Sequence, residues 1–150
     1  MTTIELGRVT DRKPPFKYAA YTRVAFSDTD AQGVVYYGRY SPYFDLARTE
    51  YHRHLGAIEN RGQFAMRASH VEYHAPARFD DLLEIFVRAA RIGRTSATFE
   101  CAAYRMEDDE LMVTATQTLV LVDLEARRPA EIPDEYRSLI RSFEGEDLEA

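Results

Sequence analysis

At 150 residues the chain has room for one domain with a real core, not two. Its 45% hydrophobic and 29% charged residues set it apart from disordered chains, and a net charge of −6 disfavours nucleic acid as a partner. Cys101 is the only cysteine, which excludes an intrachain disulfide and a cysteine-based zinc site and suits a reducing compartment. The N-terminus lacks a signal-type apolar core, and no apolar run approaches ~18 residues. The expected location is the cytoplasm, without membrane insertion.

Residues 1–17 are polar and read as an extended lead-in ahead of the first patterned stretch. Tyr18 to Ser27 is rich in β-favouring residues and predicts a strand. The polar break Asp28–Gly33 follows, built of turn formers. Tyr37 to Leu55 predicts the one long helix: Tyr40, Phe44, Ala47, Tyr51 and Leu55 recur at helical spacing on one face, and Gly56 is a natural stop. Pro42 is comfortable only in a first turn, so the helix is expected to begin or kink there, with Ser41 as the candidate cap.

From Phe64 the pattern is β. Phe64–Tyr73 predicts a strand, and a period of two runs through Leu83–Ala90, Ala97–Tyr104 and Leu111–Leu121. The acidic run Glu107–Glu110 marks a hairpin connection. Pro133 opens a short helix, Asp134–Ser142, and residues 143–150 form an acidic tail. The order is strand, helix, then four strands expected to run as a meander. One helix covers one face of such a sheet, which leaves the other face wet or in need of a partner; a two-fold dimer is the commonest solution.

The densest signal is Ser27–Tyr40, SDTDAQGVVYYGRY. Two carboxylates, Asp28 and Asp30, stand between a strand and a helix start. Helix N-termini carry N–H groups without intrahelical acceptors, which can hold a developing oxyanion, and a nearby carboxylate can attack a carbonyl or draw a proton from water. By themselves these aspartates read first as caps or turn formers, the usual role of aspartates ahead of a helix.

The segment resembles the signature of the 4-hydroxybenzoyl-CoA thioesterase-like family of hotdog-fold acyl-CoA thioesterases. The matching residues are Asp28, Asp30, Gly33, Val34, Val35, Tyr36 and Tyr37, then Tyr40, Phe44, Ala47, Arg48 and Gly56. Pro76-Ala77-Arg78-Phe79, Asp80-Asp81, Ile132-Pro133 and Tyr136-Arg137 support it, so that the resemblance covers roughly residues 18–142 as a single hotdog domain. It implies an α+β fold, an antiparallel five-stranded sheet wrapped around one long central helix with a short C-terminal helix. It also implies a homodimer or homotetramer with sites at the subunit interface, an acyl-CoA substrate, and no metal or redox cofactor. Asp30 would be the catalytic carboxylate, as nucleophile or general base, and the backbone N–H of Tyr37 would polarise the thioester carbonyl. Asp28 and Gly33 would shape the loop. Arg94, Thr95 and Ser96, between two strands, would meet the nucleotide end of CoA, the alternative being a solvated turn; Arg127 and Arg128 read mainly as surface. The tyrosines at 36, 37, 40, 43 and 51 are expected mostly in the core, with an acyl pocket as the alternative.

Other chemistries fail on the residues. An EF-hand loop beginning at Asp28 needs a glutamate where Arg39 stands, and a helix ahead of it. An aspartyl phosphatase needs a parallel sheet. The four histidines do not form a chelate, and there is neither a GxSxG nor a GxxxxGK[ST] motif. Two alternatives to the hydrolase remain: a hotdog protein that binds acyl-CoA or an acyl carrier without turnover, and a hotdog dehydratase, for which no histidine stands in the matching loop.

Overall fold

The computed structural model describes residues 4–61 and 63–149; the first three residues of the lead-in and the last of the tail lie outside that range. One seven-stranded antiparallel sheet wraps a central helix. Its strands are β1 (Gly7–Val9), β2 (Tyr18–Arg23), β3 (Phe64–Tyr73), β4 (Leu82–Ile92), β5 (Ser96–Arg105), β6 (Glu110–Asp123) and β7 (Arg128–Pro129). The helices are α1 (Tyr40–Leu55), the single turn α2 (Ile58–Arg61) and α3 (Asp134–Glu144). The five long strands match the sequence pattern, and the two short ones extend the sheet.

The strand order is β1-β2-β4-β5-β6-β3, with β7 on β6. This corrects the expected four-strand meander: β4, β5 and β6 do form one, but β3 lies beyond β6 at the far edge. Composition explains the placement. β4 buries Leu83, Ile85, Val87 and Ala89 on one face and Phe86 and Ala90 on the other, so it belongs in the middle of the sheet. β3 carries Arg67, Ser69, His70 and Glu72, all exposed, which suits an edge.

The helix start also differs from expectation. Tyr37–Arg39 form a tight 3-10 turn, and α1 follows with Arg39, not Ser41, at its N-cap and no side-chain cap. Burial of the Tyr40 ring pulls that residue into the helix, and the Arg39 N–H closes the turn on the Tyr36 carbonyl at 2.8 Å. Pro42 is then the third helical residue, where its missing N–H has no intrahelical acceptor to lose. Gly56, at φ 75°, ends α1 in the left-handed conformation that glycine enters without strain.

Tyr40, Phe44, Ala47 and Tyr51 of α1 are buried against β2, β4 and β5. Each buried aromatic is worth about 2–3 kcal/mol, and Phe44→Ala would cost about 3–5 kcal/mol through the cavity it leaves. The outer face of β4 is covered from within the chain. Phe16 packs on Phe86 at 5.9 Å, Lys13 lies 4.1 Å over the Tyr104 ring, and Arg12 grips the Glu84 carboxylate at 2.6 and 2.8 Å. Where β2 stops, the C-terminal residues take over the β4 edge: Glu144 accepts the Ala89 N–H at 3.0 Å, and the Glu149 N–H donates to the Ala90 carbonyl at 2.8 Å.

Candidate active site

The segment after β2 folds into a small hairpin. The Asp30 N–H donates to the Val34 carbonyl at 2.9 Å, Thr29 bridges Val35, and the Tyr36 N–H donates to the Asp28 carbonyl at 3.0 Å. Gly33 allows it: at φ 79° this turn position would strain any other residue, and its N–H returns to the Asp30 carbonyl at 3.0 Å. The hairpin rests on the crossing connection from β3 to β4. The Val35 N–H donates to the Ala77 carbonyl at 2.8 Å, and Val34 bridges Arg78. Those residues belong to the Pro76–Phe79 stretch that sequence alone left without a role.

The two aspartates have different surroundings. Asp28 is committed: its Oδ2 accepts the Ala25 N–H at 2.9 Å and the Tyr43 hydroxyl at 2.7 Å, and Arg39 stands 3.9 Å from Oδ1. Burial, reinforced by the Asp28 carboxylate, pushes the Tyr43 hydroxyl well above the usual tyrosine range, so it stays a proton donor. Asp30 is exposed. Its Oδ1 accepts the Gln32 N–H at 2.8 Å, and Oδ2 has no partner among the described residues. Tyr37 follows the Asp28–Tyr36 rung directly and opens the 3-10 turn, so its N–H has no intrahelical acceptor. Loop and helix start are thus joined in one unit.

Around this unit is a rim of aromatic side chains. Phe26 stacks edge-on against Phe79 at 5.7 Å, Tyr36 lies 4.4 Å from Tyr37, and the Tyr73 hydroxyl donates to the Tyr37 carbonyl at 3.4 Å. Phe26 is 77% exposed and Tyr37 63%, so within one chain the rim is open. The tyrosines therefore divide: 40, 43 and 51 are core, while 36 and 37 are surface. Behind the rim, fully buried Arg48 bonds Gln117 of β6 and Asp45, and Gln117 donates to the Ser69 hydroxyl on β3 at 3.0 Å.

Arg94, Thr95 and Ser96 form a well-tied turn. The Thr95 carbonyl accepts the Leu121 N–H at 2.8 Å, the Arg94 carbonyl accepts the Ile132 N–H at 2.9 Å, and the Gly93 N–H reaches the Ser96 carbonyl at 2.7 Å. The Arg94 guanidinium is exposed, 4.0 Å from Glu131. This turn lies past the far end of β4. The Asp30 hairpin is beside its start, where the Val24 N–H meets the Asp81 carbonyl. Eleven strand residues, roughly 35 Å, separate the two, and one chain does not bring them together. Sequence reasoning missed Tyr43 as a partner of Asp28: fifteen positions apart, they share no motif, and the tyrosine reads as one more apolar residue of the helix face.

Residues 24–140 match the model of the thioesterase-like superfamily. The acyl-CoA thioester hydrolase YbgC of Escherichia coli is 36% identical over 126 residues, covering 81% of this chain and 91% of that protein. The acyl-CoA thioesterase YbgC of Haemophilus influenzae is 33% identical, covering 77% and 88%. Among solved structures, a thioesterase from Thermus thermophilus described as complexed with coenzyme A and Zn superposes with a TM-score of 0.73 at 29% identity, covering 83% of this chain and 94% of that one. The hotdog sheet and helix and these relatives agree: the chain belongs to the thioesterase-like superfamily and is a hotdog-fold thioesterase.

Proposed function

We propose that this thioesterase hydrolyses acyl-CoA to free acid and CoA, with the Asp30 carboxylate as nucleophile or general base and the helix start as oxyanion hole. The observation that carries the reading is the contrast between the aspartates: Asp28 is consumed in holding the loop, whereas Asp30 presents an oxygen with no partner among the described residues. In the general-base route Asp30 takes a proton from water as the oxygen adds to the thioester carbon. The oxyanion accepts the Tyr37 N–H; the C–S bond then breaks, and the thiolate leaves with the proton. In the nucleophilic route Asp30 itself adds and expels the thiolate, and water hydrolyses the resulting anhydride. The good thiolate leaving group makes either route workable without a serine triad.

The working unit in this reading is at least a homodimer, located in the cytoplasm; among the described residues no helix is long and apolar enough to cross a membrane. β3 is a ten-residue edge strand, exposed along most of its length and, among the described residues, paired only to β6. A second copy adding its own β3 antiparallel sets Tyr73 of one chain, beside the Asp30 hairpin, against Phe64 of the other. Phe64 pairs with Leu121, whose N–H is bound by Thr95. The two-fold therefore carries Arg94, Thr95 and Ser96 of one subunit toward Asp30 of the other and closes the aromatic rim, which accounts for a site split across one sheet.

The test is thiol release from a panel of acyl-CoA esters by wild type and Asp30→Asn, with oligomeric state checked. Loss of about 10²–10⁴-fold in kcat by a folded, dimeric variant supports the assignment. Full activity in the variant would reduce Asp30 to a turn former, and binding of CoA esters without turnover would favour a non-catalytic acyl-CoA or acyl-carrier binding protein.

A further inference from the structure

The edge strand β3 is joined to the α1 region at two places. At one end the Tyr73 hydroxyl donates to the Tyr37 carbonyl at 3.4 Å. At the other, the fully buried Arg48 guanidinium bonds Asp45 and Gln117 of β6, and Gln117 donates to the Ser69 hydroxyl at 3.0 Å. Tyr73, Val71 and Ser69 alternate along β3 and pair with Val113, Ala115 and Gln117, all buried, so the three share the face that looks toward the helix. On the helix, Ser41 and Asp45 follow Tyr37 at steps of four, along one side, and both are exposed. These residues mark out a strip that starts at the Tyr37 N–H and ends at the Arg48 cluster. Its start is aromatic and its middle carries the half-buried Val71. Its far end is wholly polar, with a guanidinium, a carboxylate, an amide and a hydroxyl. Eight positions separate Tyr37 from Asp45, roughly 13 Å of 3-10 and α-helix.

An acyl group held by its carbonyl at the Tyr37 N–H can lie along this strip, its first carbons beside Ser41 and Val71. A hexanoyl group ends within that length, and a palmitoyl group overruns it. The overrunning methylenes would press on the Arg48–Asp45 pair. Asp45 keeps 56% of its side chain in solvent, and hydrocarbon laid over it removes that water and returns no hydrogen bond. We infer that the Arg48–Asp45–Gln117–Ser69 cluster is the stop at the far end of the acyl site, that Asp45 is its specificity-determining residue, and that the enzyme selects short acyl groups over long ones. The assignment rests on the proposed Asp30 site.

The experiment measures kcat/KM on an acyl-CoA series from butanoyl to palmitoyl for wild type, Asp45→Ala and the double variant Asp45→Ala/Arg48→Met, each checked for fold and oligomeric state. The double variant removes both charges together, so that no buried cation is left without its carboxylate. Wild type is expected to prefer hexanoyl-CoA to dodecanoyl-CoA. That preference should fall about tenfold in the double variant and move the same way in Asp45→Ala, because methylenes then meet apolar surface. The ratio between chain lengths is the readout, since a purely structural role would lower every substrate alike. Equal cleavage of hexanoyl-CoA and palmitoyl-CoA by wild type overturns the stop and leaves the thioesterase intact. An unchanged ratio in the variants does the same. Should the double variant fail to fold, the wild-type profile and Asp45→Ala decide. If wild type releases thiol from no acyl-CoA, the Asp30 reading and the stop fall together.

Discussion

The two edges of the sheet are finished in opposite ways. At the β2 edge the chain supplies its own closure: β1 pairs with β2, the Arg12–Phe16 strap covers the outer face, and Glu144 and Glu149 bond the part of β4 that β2 does not reach. At the β3 edge nothing among the described residues closes the sheet, and the Asp30 hairpin with its open aromatic rim lies beside the end of that strand. An open, ten-residue edge is a liability in a protein that stays single, and natural proteins cover or blunt such edges. In the proposed homodimer the bare edge is the surface that a second copy covers.

The largest expected effect tests that division directly. Asp30→Asn and a triple alanine variant of Arg94, Thr95 and Ser96 are each expected to be nearly inactive as homodimers. If every site takes Asp30 from one subunit and the CoA-binding turn from the other, a mixed dimer carries one intact site and one doubly defective site. Random remixing of the two chains then restores about a quarter of wild-type activity. Complementation measured after mixing and reassembly checks this; no recovery, with mixed dimers demonstrated, would place both elements of the site in one chain and break the comparison.

Tyr43→Phe is expected next in size. It removes the hydroxyl that holds Asp28 and leaves the ring in place. A hydrogen bond to a partly buried carboxylate is worth about 1.5–3 kcal/mol, so urea unfolding should show a loss in that range. Because the loop then moves against the helix start, kcat should fall several-fold with little change in KM. A drop in stability at constant kcat would make the contact purely structural. On the closed edge, Phe16→Ala removes a half-buried ring from Phe86 and should cost about 1–2 kcal/mol, with thioester hydrolysis unaffected.

How much of this was legible in the sequence follows the range of the interactions. Alternation in β4, β5 and β6 and the apolar face of α1 are local patterns, and each produced the element it predicts. The DTDAQG stretch and its glycine were legible as a turn because φ preferences are local too. The place of β3 was not, because edge or centre depends on which strands share two buried faces, a property of the whole sheet. Tyr43 with Asp28, Arg12 with Glu84 and Glu144 with Ala89 join residues 15, 72 and 55 positions apart, and no spacing rule reaches that far. The Ser41 cap failed for a simpler reason: burying the Tyr40 ring outweighs a cap worth about 1 kcal/mol.

The smallest effect concerns the closed edge and its buried acid. Glu144 is fully buried, and its Oε2 accepts both the Tyr51 hydroxyl at 2.5 Å and the Ala89 N–H at 3.0 Å. Burial raises its pKa above the ordinary carboxylate value, more than Tyr51, Ala89, Lys17 and Arg88 together lower it. With the folded pKa above the unfolded one, its contribution to stability is full below the ordinary glutamate range, where both states are protonated. That contribution is lost as pH rises to and through the folded value, because the unfolded chain ionises first. Glu144→Gln retains one acceptor oxygen for the two donors and cannot ionise. Denaturant unfolding across that window should therefore show a negative stability slope in wild type that is flattened in the variant, while the difference between them shrinks toward the acid side. Parallel slopes would mean that Lys17, 3.9 Å from Oε1, already compensates the charge, and the closed edge would then be held as an ion pair.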